Sequence, residues 1–255
     1  MHIAVILKQV PDLVEEVEVD SQGTDIDRDS VKWKLNEFDD HALEQAVLLK
    51  ESSGAEVTAV ALAADGVDQL LYAAVARGVD RAIRVTTASA RTDAPAAAAA
   101  LAGVLADMGV DLVLTGVQAV DDLHGQLAPI LATRLGWPHV SVVSRVSLEG
   151  TEAEVTQEYS GGRMATLEVD LPAVLGVQAA PRPPRYVPIS RLRQVMASAE
   201  LGSAAAAAAA PALGSTVTRL AAPPQGQGAQ MLEGRPEAVA EQIVALLRER
   251  GLVEA

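Results

Sequence analysis

The segment richest in possible chemistry is Thr115-Gly116-Val117-Gln118-Ala119-Val120-Asp121-Asp122-Leu123-His124-Gly125-Gln126-Leu127-Ala128-Pro129. It leaves an apolar run, Val110 to Thr115, and enters a helical pattern over Gln126 to Leu135 that stops at Gly136. A helix start offers unpaired backbone N–H groups and the positive end of the helix dipole, which together suit a phosphate. Gly125 lets another group come close to the backbone. Asp121 and Asp122 repel a phosphate and are better suited to fixing the loop or accepting from ribose hydroxyls. A plain turn and helix cap would show the same pattern, and the residues alone leave both readings open. Two further places could meet a ligand. In Leu35-Asn36-Glu37-Phe38-Asp39, Asn36 is placed either to cap the following helix or to hydrogen-bond an adenine edge. In Lys8-Gln9-Val10-Pro11-Asp12, Lys8 follows a buried strand and could face a phosphate or a carboxylate, or simply stay solvated.

Other chemistries find no support. The chain has no cysteine, which excludes disulfides, thiolate catalysis and zinc–thiolate sites. His2, His41, His124 and His139 show no metal-ligand spacing. The adjacent carboxylates, Asp39-Asp40 and Asp121-Asp122, point apart, and no nucleophile–base–orienter set is visible. The phosphate-binding Gly-rich fingerprints are absent. Trp33, Phe38, Tyr72 and Trp137 are too scattered to make a stacking platform. No catalytic residue is therefore assigned, and the chain reads as a non-enzyme.

The elements that must position these segments alternate. Ile3 to Leu7 and Val57 to Leu62 are unbroken apolar runs, as expected of strands covered on both faces. Between them the spacing of Leu43, Ala46, Val47 and Lys50 predicts a helix from about Asp39, with acids early and Lys50 late. Further helices are expected around Leu70 to Val75 and from Pro95 to Met108, with strands at Ala82 to Val85 and Val110 to Thr115. Alternation of this kind gives an α/β fold: a parallel, doubly wound sheet with helices on both faces, whose loops at the carboxyl edge bind ligands. After Pro138 the pattern changes. Val140 to Leu148, Glu154 to Tyr159, Arg163 to Val169 and Ala173 to Val177 read as four strands with no helix between them, antiparallel structure added to the main sheet or folded beside it.

From Ala179 the sequence becomes proline-rich and basic, with Arg182, Arg185, Arg191 and Arg193 close together, and is expected to be extended. Seven alanines follow, Ala204 to Ala210, and then a Pro/Gly/Gln-rich linker. A last amphipathic helix starts at Pro236 with Val239, Ile243, Leu246 and Leu247 on one face. The resulting organisation is an α/β nucleotide-binding domain over 1–180, an extended recognition loop over 181–200, and, over 201–255, a linker and a C-terminal arm whose helix is expected to dock on a partner subunit. The formal net charge of −14 argues against nucleic acid and against anionic membranes. No apolar run is long enough for a membrane span or a signal-peptide core, so a soluble cytoplasmic location is expected.

Taken in order, Lys8-Gln9-Val10-Pro11-Asp12, Asp25 to Ser30, Asn36-Glu37-Phe38-Asp39, Ala76 to Ala82, Gly116 to Asp122, Leu171-Pro172-Ala173-Val174 and Pro184-Arg185-Tyr186 resemble the electron transfer flavoprotein beta-subunit family over roughly residues 1–200. The resemblance implies a heterodimer with an alpha subunit. An FAD shared with that subunit would accept electrons from dehydrogenases and pass them to a quinone oxidoreductase or another acceptor. It implies an AMP, or a second FAD, in this chain. The nucleotide site it implies is lined by Ile6, Asn36 to Asp39, Leu62, and Asp121 through Pro129 to Ile130, Leu131 and Ala132. It also implies a recognition loop for partner dehydrogenases over Pro184 to Met196, with Ile189 near the apolar anchor and Arg185, Arg191 and Arg193 around it as steering charge.

The chain departs from the family pattern at His124 (often Thr), at Ala128 (often Gly) and at Leu13, where some members carry a Tyr. Two other readings of the same sheet are a stand-alone ATP- or AMP-binding protein of the universal-stress type and a small-molecule enzyme. The stress-type reading leaves the chain beyond Pro138 unused, and the enzyme reading lacks a catalytic set.

Overall fold

The computed structural model describes residues 1–253 apart from 15, 88–92, 123, 207–216, 225 and 227. The chain forms two compact units, Met1–Arg219 and Leu220–Ala255.

The first unit is built on a nine-stranded sheet. In chain order its strands are β1 (His2–Leu7), β4 (Glu56–Leu62), β5 (Arg81–Thr86), β6 (Leu112–Gly116), β7 (His139–Glu149), β8 (Glu152–Tyr159), β9 (Arg163–Asp170), β10 (Ala173–Val177) and β11 (Gly202–Ala205). A short antiparallel pair, β2 (Gln9–Pro11) with β3 (Trp33–Leu35), stands apart from it. Across the large sheet the order is β11-β5-β4-β1-β6-β10-β7-β8-β9. All neighbours from β11 to β7 are parallel. The last two pairings, β7–β8 and β8–β9, are antiparallel.

Helices cover both faces, as the alternation requires. Along β1, Ile3, Val5 and Leu7 point into one core with α1 (Glu37–Ser53) and α2 (Val67–Arg77). Ala4 and Ile6 point into the other, with α3 (Ala94–Met108) and α4 (Leu127–Leu135). This is why the apolar run of β1 is unbroken: a strand sandwiched between helical layers has no solvent face. Helix ends obey local chemistry. The Asp93 carboxylate caps α3 by accepting from the Ala96 N–H at 2.9 Å. Gly136 closes α4 in the left-handed conformation.

Three expectations are corrected. First, the strands after Pro138 are not wholly antiparallel. β10 inserts between β6 and β7 and runs parallel to both. Its five residues are all buried, the mark of a central strand rather than of a one-sided addition. Only β8 and β9 add antiparallel, joined by a turn in which Gly161 and Gly162 take φ of 76° and 70°. Second, the extended stretch ends at Pro188, and Ile189–Ser198 form helix α5, packed on α2. Prolines hold the residues before them extended, but none comes after Pro188 in this segment, and Val195 then buries itself within a helical turn. Third, the low-complexity stretch begins inside the sheet: β11 pairs with β5, Ala204 opposite Val85. The rest of the alanine run, beyond Ala206, lies outside the described residues.

The second unit contains α6 (Pro236–Glu249), with Pro236 at its start, as its sequence predicts; the helix buries none of its residues. Among the described residues no helix is long and apolar enough to cross a membrane.

Candidate functional site

The strand order reverses at β1. From β1 the chain moves outward to β4 and β5, then returns to β6 on the other side of β1. The loops leaving β1 and β6 therefore diverge from neighbouring strands, and a crevice opens between them at the carboxyl edge of the sheet. Lys8 and Gly116 stand at the two lips of that crevice.

The first turn of α1 ties the lips together. The Lys8 N–H donates to Asp39 Oδ2 at 2.9 Å, and the Asn36 N–H donates to the Lys8 carbonyl at 2.9 Å. On the other lip, the Gly116 N–H donates to Asp39 Oδ1 at 2.8 Å, and Asn36 Nδ2 donates to the Gln118 carbonyl at 2.8 Å. Each loop thus shares two hydrogen bonds with the Asn36–Asp39 pair. Asn36 occupies the cap position of α1, yet its side chain does not cap the helix; it reaches across to the β6 loop instead.

Asp39 is only 6% exposed. Burial pushes its carboxyl up to about 7, against the opposing pull of the Gly116 N–H, Asn36, the Lys8 N–H and the Lys8 charge. Gly116 is required by closeness rather than by backbone angle. A Cβ there would lie 2.7 Å from Phe38 Cβ and 2.8 Å from the Asp39 nitrogen, so any side chain would push α1 off the sheet edge.

Above this clamp, Lys8 Nζ pairs with Asp121 Oδ1 at 2.7 Å, both side chains part-exposed. Of the two partners foreseen for Lys8, a phosphate or a carboxylate, the protein supplies a carboxylate. Asp122 Oδ1 accepts from the N–H groups of His124 and Gly125 at 3.2 and 3.3 Å. Gly125 has φ of 57°, and a Cβ on it would stand 3.0 Å from the Val117 carbonyl.

The remaining predicted site residues separate by exposure. Ile6, Ala128, Leu131 and Ala132 are buried in the core beneath α4. Leu62, Leu127 and Ile130 are half-buried against the same core. Glu37, Gln118, His124 and Gln126 face outward, and Phe38, Val117 and Pro129 are half-buried. Leu123 lies outside the described residues. Gln126, Pro129 and Ile130, with Thr133 and Arg134, line an open depression of about 490 Å³ on the outer side of α4. The structure therefore gathers Lys8, Asn36, Asp39, Gly116 and Asp121 tightly, and divides 127–132 between a core face and an open face.

The segment after β10 is arranged differently from expectation. Tyr186 is 82% and Ile189 63% exposed, with Met196 also exposed and Pro184 half-buried. Arg191 is exposed and reaches Gln194 at 3.1 Å. Arg185, however, does not ring the exposed aliphatic. Its guanidinium turns onto α1, where it meets Glu44 at 2.9 Å and Glu51 at 2.6 Å. Sequence reasoning missed Glu44. The available signal was a carboxylate placed among Leu43, Ala46 and Val47, on the buried side of the helix. Gly116 was also overlooked as a point of close approach, for the sequence alone does not show which backbone comes near it. Among the described residues no group of His, Cys, Asp and Glu is arranged to hold a metal ion.

The chain matches the electron transfer flavoprotein domain over residues 24–212. It is 35% identical over 199 residues to the electron transfer flavoprotein subunit beta of Methylophilus methylotrophus, covering 76% of this chain and 75% of that protein. The subunit beta of Homo sapiens is 34% identical over 196 residues, 75% of this chain and 76% of the relative. The subunit beta of Syntrophomonas wolfei is 32% identical across all 255 residues, covering 98% of the relative, so that likeness includes the C-terminal unit. Together with the doubly wound sheet and its clamped switch point, these likenesses show that the chain belongs to the electron transfer flavoprotein beta-subunit family.

Proposed function

We propose that this chain is the beta subunit of a heterodimeric electron transfer flavoprotein and that the crevice between β1 and β6 holds an adenine nucleotide. The observation that carries the nucleotide assignment is the Asn36–Asp39 clamp, which fixes both lips of the crevice through four hydrogen bonds. A site that meets a ligand with backbone groups needs its backbone held in advance. The residues fit such a ligand in part. Gly125 leaves room for close approach, and the part-exposed Asp121 carboxylate is an acceptor for a ribose hydroxyl. A phosphate at this loop would take over the His124 and Gly125 N–H groups from the Asp122 carboxylate.

In this reading the nucleotide is AMP or a second FAD, and the working FAD is shared with the alpha subunit. The flavin, when bound, carries the electrons, taken from dehydrogenases and given to a quinone oxidoreductase or another acceptor. The chain's own residues bind and orient. Lys8, Asn36 and Asp39 set the loops, α4 supplies a wall, and the Tyr186–Met196 segment faces the dehydrogenases. No side chain of the chain enters the redox step itself, so the subunit is a carrier's scaffold rather than an enzyme.

Co-expression with an electron transfer flavoprotein alpha subunit tests the proposal. The expected product is a yellow heterodimer that releases FAD and a second adenine nucleotide on acid extraction, while the chain alone is colourless. A colourless stable homodimer that binds ATP and does not associate with the alpha subunit would overturn it.

A further inference from the structure

We propose that Arg185, Glu44 and Glu51 form a positioning clamp that sets the geometry of the partner-facing segment, so that Arg185 acts through the protein and not on the partner. The proposal rests on the docking role given to that segment above.

Glu44 side-chain exposure is 4%. A carboxylate taken this far out of water needs its oxygens filled. One residue fills them. The Arg185 backbone N–H donates to Oε2 at 3.0 Å, its Nε donates to Oε1 and Oε2 at 3.1 and 3.0 Å, and its Nη2 donates to Oε1 at 2.9 Å. The far side of the guanidinium donates to both oxygens of Glu51, at 2.6 and 3.3 Å. The Arg185 charge is thus spent between two carboxylates, with its fork in the planar geometry that lysine cannot copy. Nearer the start of α1, His41 Nδ1 accepts from the Ala180 N–H at 3.2 Å. His41, Glu44 and Glu51 recur at helical spacing along one side of α1. They hold the incoming chain from Ala180 to Arg185 against the helix.

The exposed side chains stand immediately beyond the clamp. Tyr186 is the next residue after Arg185, and Ile189 opens α5 directly after Pro188. At the far end, Val195 is buried and α5 packs on α2. The exposed aromatic and aliphatic side chains are therefore slung between two fixed points, Arg185 and Val195. A binding segment held in its bound shape loses less conformational freedom on docking, so the clamp acts on affinity without touching the partner.

Direct steering by Arg185 makes the opposite forecast. If its charge attracted the dehydrogenase, releasing it from Glu44 would speed association at low salt. The test uses the flavin-loaded heterodimer as the electron acceptor of a purified dehydrogenase that reduces the unaltered heterodimer. Glu44→Gln is expected to raise the KM for the heterodimer roughly fivefold, with little change in kcat. Reduction of the bound flavin by dithionite stays unchanged, and hydrogen exchange quickens in the peptide covering 186–192 but not in β1. Glu51→Gln, whose carboxylate is half exposed, shifts the same quantities less and serves if Glu44→Gln fails to fold. Association that speeds up at low salt in either variant, or a lower melting temperature with unchanged KM and unchanged exchange over 186–192, would overturn the proposal. If no dehydrogenase reduces the unaltered heterodimer, the functional reading fails, while the exchange measurement still decides whether the clamp orders the segment.

Discussion

Two parts of α1 hold two different regions of the molecule, and they do so by different means. At the helix start, the buried side chains of Asn36 and Asp39 hold the crevice loops through hydrogen bonds to backbone. Farther along, the buried Glu44 and the half-exposed Glu51 hold the Arg185 segment through charged side chains that meet one guanidinium. The first arrangement fixes backbone to within a hydrogen bond and tolerates no added atom, as Gly116 shows. The second fixes one guanidinium with the backbone N–H of the same residue and leaves the side chains beyond it open to solvent. One helix thus serves a region that needs rigidity for a small ligand and a region that needs presentation for a large one.

Substitutions can break or sharpen that contrast. The largest effect is expected at the crevice. Gly116→Val drives a side chain into the start of α1 and should cost about 3 kcal/mol or more, read from urea unfolding of the chain. A loss below about 1 kcal/mol would mean that the helix start yields easily. Asp39→Asn comes next, since an amide offers only one acceptor to two N–H groups, at a cost of about 1–3 kcal/mol. Its pH dependence carries a sign. Burial raises the Asp39 pKa in the folded chain to about 7 from 3.8, so the group's contribution to stability is fully present below the unfolded value and is lost as pH rises through 7. The melting temperature of the asparagine variant should therefore fall less between pH 4 and pH 7 than that of the parent; parallel curves would place the titration elsewhere.

At the presentation region, Ile189→Ala should slow electron delivery from a dehydrogenase roughly tenfold, the scale of a single hot-spot residue, while stability and flavin content hold. An unchanged rate would remove the anchor role. The smallest effect is expected for Lys8→Ala. Its ion pair with Asp121 is part-exposed, so the loss should stay under about 1 kcal/mol. A larger loss would show that the Lys8 side chain, and not only its backbone, belongs to the clamp.

Much of the fold could be read from the sequence because the signals were local. The unbroken run Ile3 to Leu7, the spacing of Leu43 and Val47, and Gly136 after a helical pattern each state their own structure. The insertion of β10 was not legible: Ala173 to Val177 declares a buried strand but says nothing of which strands flank it. The same limit applied at the site. Asn36 and Asp39 stood out by position before a helix, but their partners Gly116 and Gln118 are far off in sequence, and only the sheet order joins them. Arg185 was misjudged for a related reason. An arginine in a proline-rich stretch reads as solvated until the buried Glu44 opposite it is known.

The placement of β10 has a consequence for how the chain comes to be made. β6 gains its second neighbour only when Ala173–Val177 have emerged, after the whole β8–β9 hairpin. β5, at the other side, gains its outer neighbour only with Gly202–Ala205. A nascent chain leaving the ribosome thus carries two incomplete strand edges until late in synthesis, each a template for wrong pairing. Chains truncated before Val177 should collect in aggregates, whereas chains ending just beyond Ala206 can give both β6 and β5 their second neighbour.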